Sequence, residues 1–243
     1  VNRRAFLGGA GVALSLGVAG RRAASPPDPV VVRVWFSESA ATHDALAGRV
    51  EGYLGAALGE AVGAVEVEFA PSSVPLAHEG GKTSLGFDWP TTVVEGLVGL
   101  DEIDPVGDVN LLVTDGDPRR QPAGYARPRI AATTGGAYIA RMAPAERTPP
   151  VVPYSLPAAA TQLLLHEVGH ALGATHGHGA ARREGDALVA SPMVGSYLWA
   201  SERVRERHLD DASACGGAYP NADDATERRL GLRYTDCAAR ALR

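Results

Sequence analysis

The segment His166-Glu167-Val168-Gly169-His170-Ala171-Leu172-Gly173-Ala174-Thr175-His176 constrains this chain more than any other stretch. It closes the run Leu156 to Leu172, which reads as the best helix in the sequence, with Ser155 as N-cap, Pro157 in the first turn and Gly173 as the stop. Residues four apart share a helix face, so His166 and His170 project together and reach one ion. A third ligand requires the chain to leave the helix axis. Gly173, with no Cβ, takes the left-handed conformation that ends a helix and turns the chain back, so that His176 reaches the same point. Zinc favours nitrogen ligands in tetrahedral geometry, and a catalytic site supplies three of them with the fourth position open. Glu167 lies beside a ligand without having to be one. A carboxylate there can hold a water, take its proton and pass that proton to a leaving amine. Structural zinc sites use four ligands and are cysteine-rich, and no cysteine is near. His178 could exchange with His176 as ligand, but the spacing favours His176.

The pattern H-E-x-x-H-x-x-G-x-x-H, followed by Met193 in Ser191-Pro192-Met193, resembles the metzincin clan of zinc peptidases and its Met-turn. The resemblance covers residues 166–193 specifically and the remainder in layout. It implies a zinc endopeptidase with one catalytic Zn2+ held by His166, His170 and His176, Glu167 as general base, and Met193 as an apolar floor under the metal. It implies an α+β fold, with a twisted mixed sheet and two long helices in an upper lobe and a small irregular lower lobe after Gly173. The family within the clan is not assigned, because Gly177 after the third histidine fits none of the best-known members. Some members carry a tyrosine two residues after the methionine. Here that position is Gly195, and Tyr197 follows two later as a candidate for transition-state or pocket contact. The expected partner is a peptide or protein substrate lying extended along an edge strand within 124–136. A noncatalytic zinc-containing binding domain and a zinc hydrolase of small amides are the alternatives.

The rest of the chain is consistent with that layout. Val30–Phe36, Ala64–Phe69, Val109–Thr114, Ile130–Thr133 and Ala137–Ala140 read as strands. Leu46, Val50, Leu54 and Leu58 form a helical stripe within 43–58. Residues 71–90 and 142–153 read as loop and proline-rich connection. Beyond Gly173 the expectation is irregular chain, apart from a charged helix near 200–211, whose arginines and glutamates form a solvated face, and a second helical segment at 226–232. His43, His78 and His208 are isolated and read as surface or helix residues. Asp115 with Asp117, Asp210 with Asp211 and Asp223 with Asp224 could hold calcium but lack the EF-hand pattern, and turns explain them better.

Residues 1–24 read as a twin-arginine export signal: Arg3-Arg4, then Phe6-Leu7 and an apolar stretch to Gly20. Cleavage falls near Gly20 or at Ala23-Ala24-Ser25, leaving 25–243 as the catalytic domain, divided at about residue 173. The expected location is extracytoplasmic, without stable membrane association. There Cys215 and Cys237, the two cysteines of the chain, pair or remain as free thiols; pairing closes a loop of about 22 residues. A formal charge of −5, from 23 basic and 28 acidic residues, leaves no footprint for nucleic acid. A monomer is expected.

Overall fold

A computed structural model of the chain describes residues 28–79, 88–120, 123–209, 212–215, 217–220, 222 and 225–242. The export signal expected at 1–24 lies outside these residues. The β-branched run at the start of the described chain forms β1 (Val30–Phe36). It is followed by α1 (Leu46–Val62) and β2 (Val65–Phe69), which pairs with β1 in parallel. After α2 (Asp88–Leu97), β3 (Val109–Val113) joins the other side of β1, also parallel. β4 (Gly124–Arg127) and β5 (Ile130–Thr133) form an antiparallel hairpin, and β5 pairs in parallel with β3. The order is therefore β2-β1-β3-β5-β4, with β4 a free antiparallel edge. Every residue of β3 is buried, as its unbroken apolar sequence and central place require.

Alternation along the strands divides the core. Val32 and Val34 of β1, Leu111 and Val113 of β3, and Ala131 of β5 face α1 and the long helix that ends in the histidines. Leu46, Val50, Leu54 and Leu58, the stripe visible in sequence, are all buried in that layer. The opposite face presents Trp35, Leu112 and Ala132 to α2. There Trp89 packs edge-to-face on Trp35 with ring centroids 5.2 Å apart, and its indole N–H donates to the carbonyl of Ala131 at 3.1 Å.

Three expectations are corrected. Residues 137–140 form a short helix, α3 (Gly136–Ala140), not a strand. The end of β3 holds its first turn: Gly136 N–H donates to the Thr114 carbonyl at 2.9 Å and Ala137 N–H to Oδ1 of Asp115 at 2.6 Å. The chain after Gly173 is not mostly irregular. It supplies three of the four strands in a second sheet, ordered β6-β11-β8-β7, made from β6 (Val151–Pro153), β7 (Ala181–Glu184), β8 (Ala187–Ala190) and β11 (Glu227–Gly231). Thus the helix expected at 226–232 is instead a strand over Glu227–Gly231. Two ladders, antiparallel to β6 and parallel to β8, outweigh the weak helical preference of Glu227-Arg228-Arg229-Leu230. Because β6 precedes α4 (Leu156–Ala171), both sides of Gly173 build this sheet.

The charged helix appears as α5 (Glu202–His208). A two-stranded ribbon, β9 (Ala212–Ser213) and β10 (Gly217–Ala218), and α6 (Asp236–Ala241) complete the described tail. Cys215 and Cys237 are disulfide-bonded, which ties that ribbon to α6. The bond closes a 22-residue separation. Replacing both cysteines by serine is expected to lower unfolding stability by about 3 kcal/mol, measured by the denaturant midpoint.

Candidate metal centre

α4 carries two of the three histidines, and its two ends fix where they point. Ser155 accepts the Ala158 N–H at 3.3 Å and starts the helix. At the other end Gly173 has φ 102°; its N–H donates to His170 O at 3.0 Å and Ala174 N–H to Gly169 O at 2.9 Å. This paired arrangement is a Schellman motif, which needs the left-handed residue that glycine supplies. The chain reverses there and enters a single turn at His176–His178.

The reversal brings His166, His170 and His176 together, with one ligand nitrogen of each inside a 4.8 Å cluster. Nε2 of His166 lies 3.0 Å from Nε2 of His170 and 3.2 Å from Nε2 of His176. The other ring nitrogens explain what these short distances mean. Nδ1 of His166 donates to the Pro192 carbonyl and Nδ1 of His170 to the Ala174 carbonyl, both at 2.7 Å. A carbonyl can only accept, so each Nδ1 carries the hydrogen and each neutral ring turns a bare lone pair toward the other. Two facing lone pairs at 3.0 Å repel unless a cation lies between them. A tetrahedral ion with nitrogens at about 2.0–2.1 Å separates its ligands by about 3.3 Å, close to the distances here. The donor set therefore fits zinc, and the two carbonyls are the outer partners that orient ligating histidines. Burial, reinforced by the neighbouring rings, holds His166 well below the usual imidazole range, and burial also lowers His170. Both rings are thus kept in the neutral form that a ligand requires.

Glu167 is buried beside the cluster and accepts no hydrogen bond from the described residues. Burial raises its carboxyl pKa to about 8; a divalent cation alongside would act in the opposite sense. The carboxylate reaches β4. A Cβ on Gly124 would lie 2.3 Å from Glu167 Oε1, so only a glycine lets the edge strand pass this close. On the other side, buried Met193 packs against α4 at Gly169, its Sδ 2.5 Å from where a Cβ on that glycine would stand. Tyr197 lies near both His166 and His176, with ring centroids 5.8 and 5.0 Å away. Burial and the Glu167 charge raise its phenol pKa.

Other candidates are resolved differently. Nδ1 of His178 accepts the Thr175 N–H at 2.9 Å, so its ring turns back on its own loop and is absent from the cluster. His43, read as isolated, pairs with Asp115 at 2.9 Å. Asp117 pairs with Arg119, which lowers its pKa to about 2. These contacts give Asp115 and Asp117 structural partners other than calcium; 210, 211, 223 and 224 lie outside the described residues. His208, also read as isolated, stacks on Tyr197 at 4.4 Å and lies 5.7 Å from His176. No local pattern marks it, because α5 reaches the site only through tertiary folding. Gln162 was also missed, although its spacing, one turn before His166 on the same face, was available in the sequence.

The tail, expected to be mostly irregular, braces the turn that carries His176. Ala214 N–H donates to the Gly177 carbonyl, the Ser213 hydroxyl to that of Gly179, and the Thr235 hydroxyl to that of His178. The disulfide joins the segments that make these contacts. A cavity of about 660 Å³ opens beside His166 and Glu167, between α4, β4, α5 and β11. No protein-family model matches this chain, and no curated protein matches it. Among the described residues no helix is long and apolar enough to cross a membrane.

Proposed function

We propose that this chain is an exported zinc-dependent endopeptidase, the fold being a metzincin-like variant. The observation that carries the proposal is the convergence of three imidazoles on one point, with a buried carboxylate beside them that accepts no hydrogen bond among the described residues, next to an edge strand to which no further described strand pairs. His166, His170 and His176 would hold the ion, which when bound supplies a Lewis acid that polarises a carbonyl and acidifies water.

The substrate peptide adds to the free edge of β4, where main-chain hydrogen bonds align it without regard to side chain. Its scissile carbonyl then lies near Glu167, which orients the attacking water and takes its proton. The same carboxyl gives that proton to the departing amine. The surrounding buried surface excludes other water and strengthens these interactions. Tyr197, whose ring lies near His166 and stacks on His208, would contact the carbonyl oxygen as charge develops on it. The disulfide agrees with folding in an oxidising compartment.

The direct test is metal analysis of the purified protein together with casein cleavage. One zinc per chain and cleavage abolished by a chelator and restored by zinc are the expected results. A stoichiometric metal with no cleavage of any protein substrate would instead leave a noncatalytic binding domain. Gly124→Ala is expected to lower kcat/KM by about 10- to 100-fold with zinc content unchanged, because the new methyl displaces the Glu167 carboxylate. Parallel metal analysis and peptide kinetics check this.

A further inference from the structure

Among the polar groups lining the cavity beside the histidines, Gln162 is buried and has a role that neither the metal nor the proton transfer explains. Gln162 is 2 % exposed, on α4 one turn before His166. Its Nε2 donates to two carbonyls, Ala190 O of β8 at 2.9 Å and Gly231 O of β11 at 2.8 Å. Both hydrogens of the amide are thereby used, and the side chain clamps α4 to the second sheet. This settles the orientation of the group, since an amide oxygen placed against two carbonyls would be repelled. Oε1 is left as a fixed acceptor. Among the described residues nothing donates to it, and Gln162 lines the cavity.

The rest of the lining is apolar over most of its surface, with Ala159, Leu163, Val204 and Leu230 contributing. Arg207 on α5 adds a positive charge. The walls and the acceptor each exclude a class of occupant. Apolar walls oppose small polar side chains, and a fixed acceptor opposes a carboxylate. A purely aliphatic or phenyl group would fit the walls but leave Oε1 desolvated and unpaired.

We propose that this cavity is a specificity pocket for a large aromatic side chain bearing a hydrogen-bond donor, tyrosine before all others, with Gln162 Oε1 receiving the phenol hydrogen. The assignment rests on the peptidase reading for its place in a reaction. The pocket's chemistry is independent of that reading.

Two measurements on the unaltered protein test it. In quenched-fluorescence peptides in which the varied residue is placed in turn on each side of the cleaved bond, tyrosine at one of the two positions is expected to exceed phenylalanine and O-methyltyrosine by about 10-fold in kcat/KM. O-Methyltyrosine retains the ring and loses the donor. Equal cleavage of the three peptides at both positions would overturn the assignment. In the second measurement, p-cresol is expected to shift the Gln162 side-chain amide resonance in NMR spectra, while 4-methylanisole at the same concentration leaves it in place. Identical responses to the two compounds would overturn it equally. A p-cresol response without cleavage of any peptide would remove the peptidase reading and leave the pocket assignment standing; cleavage without tyrosine preference would do the reverse.

Discussion

Glu167→Gln is expected to reduce peptide hydrolysis by about 10²- to 10⁴-fold while leaving one zinc per chain. The amide has the shape of the carboxylate but cannot take a proton from water, so the loss should appear in kcat with KM little changed. Zinc stays because the metal cluster consists of three imidazole nitrogens and does not include this side chain. The fold should also tolerate the change. Burial already opposes the charge of Glu167, pushing its pKa up to about 8, and a neutral group of the same size removes that opposition. The thermal midpoint of the metal-free variant should therefore be no lower than that of the parent. Undiminished cleavage by a zinc-replete Glu167→Gln protein would end the general-base assignment.

The site was readable from sequence to the extent that it is local. Two of the three clustered histidines, the carboxylate and the turning glycine fall within one helix and its cap, where spacing alone determines direction. The buried stripe of α1 and the apolar run of β3 were readable for the same reason, since period and burial coincide in them. What escaped notice depends on distant pairing. β11 carries one glutamate and two arginines with no clear period, and becomes a strand because β6 and β8 flank it. The helical form of 136–140 is set by the end of β3, more than twenty positions earlier. Gly124 looks like any loop glycine until Glu167 is placed against it. Likewise the tail, which has little pattern of its own, acquires its meaning from the carbonyls of Gly177 and His178 that it holds in place.

Because that tail steadies the third ligand from outside, the two neighbouring histidines make opposite predictions. His176→Ala is expected to weaken zinc binding by more than about 100-fold and to abolish cleavage, since the loss of a direct ligand exceeds the 10- to 100-fold cost of losing an outer partner. His178→Ala should change zinc affinity by less than about 10-fold, because its Nδ1 is engaged by Thr175 and only the loop is loosened. Stability should report the same distinction. In the parent, the Nε2 atoms of His166 and His170 stand 3.0 Å apart with both Nδ1 hydrogens committed elsewhere, so the metal-free fold carries a repulsion that a cation relieves. Zinc at 100 times its Kd should therefore raise stability by about 2.7 kcal/mol, a shift of which His178→Ala keeps at least about half and which His176→Ala loses at the same zinc concentration. Calorimetry with and without zinc reads this directly. A His176→Ala protein that still gained the full increment would mean that a different group completes the site, and would transfer the third ligand away from the turn after Gly173.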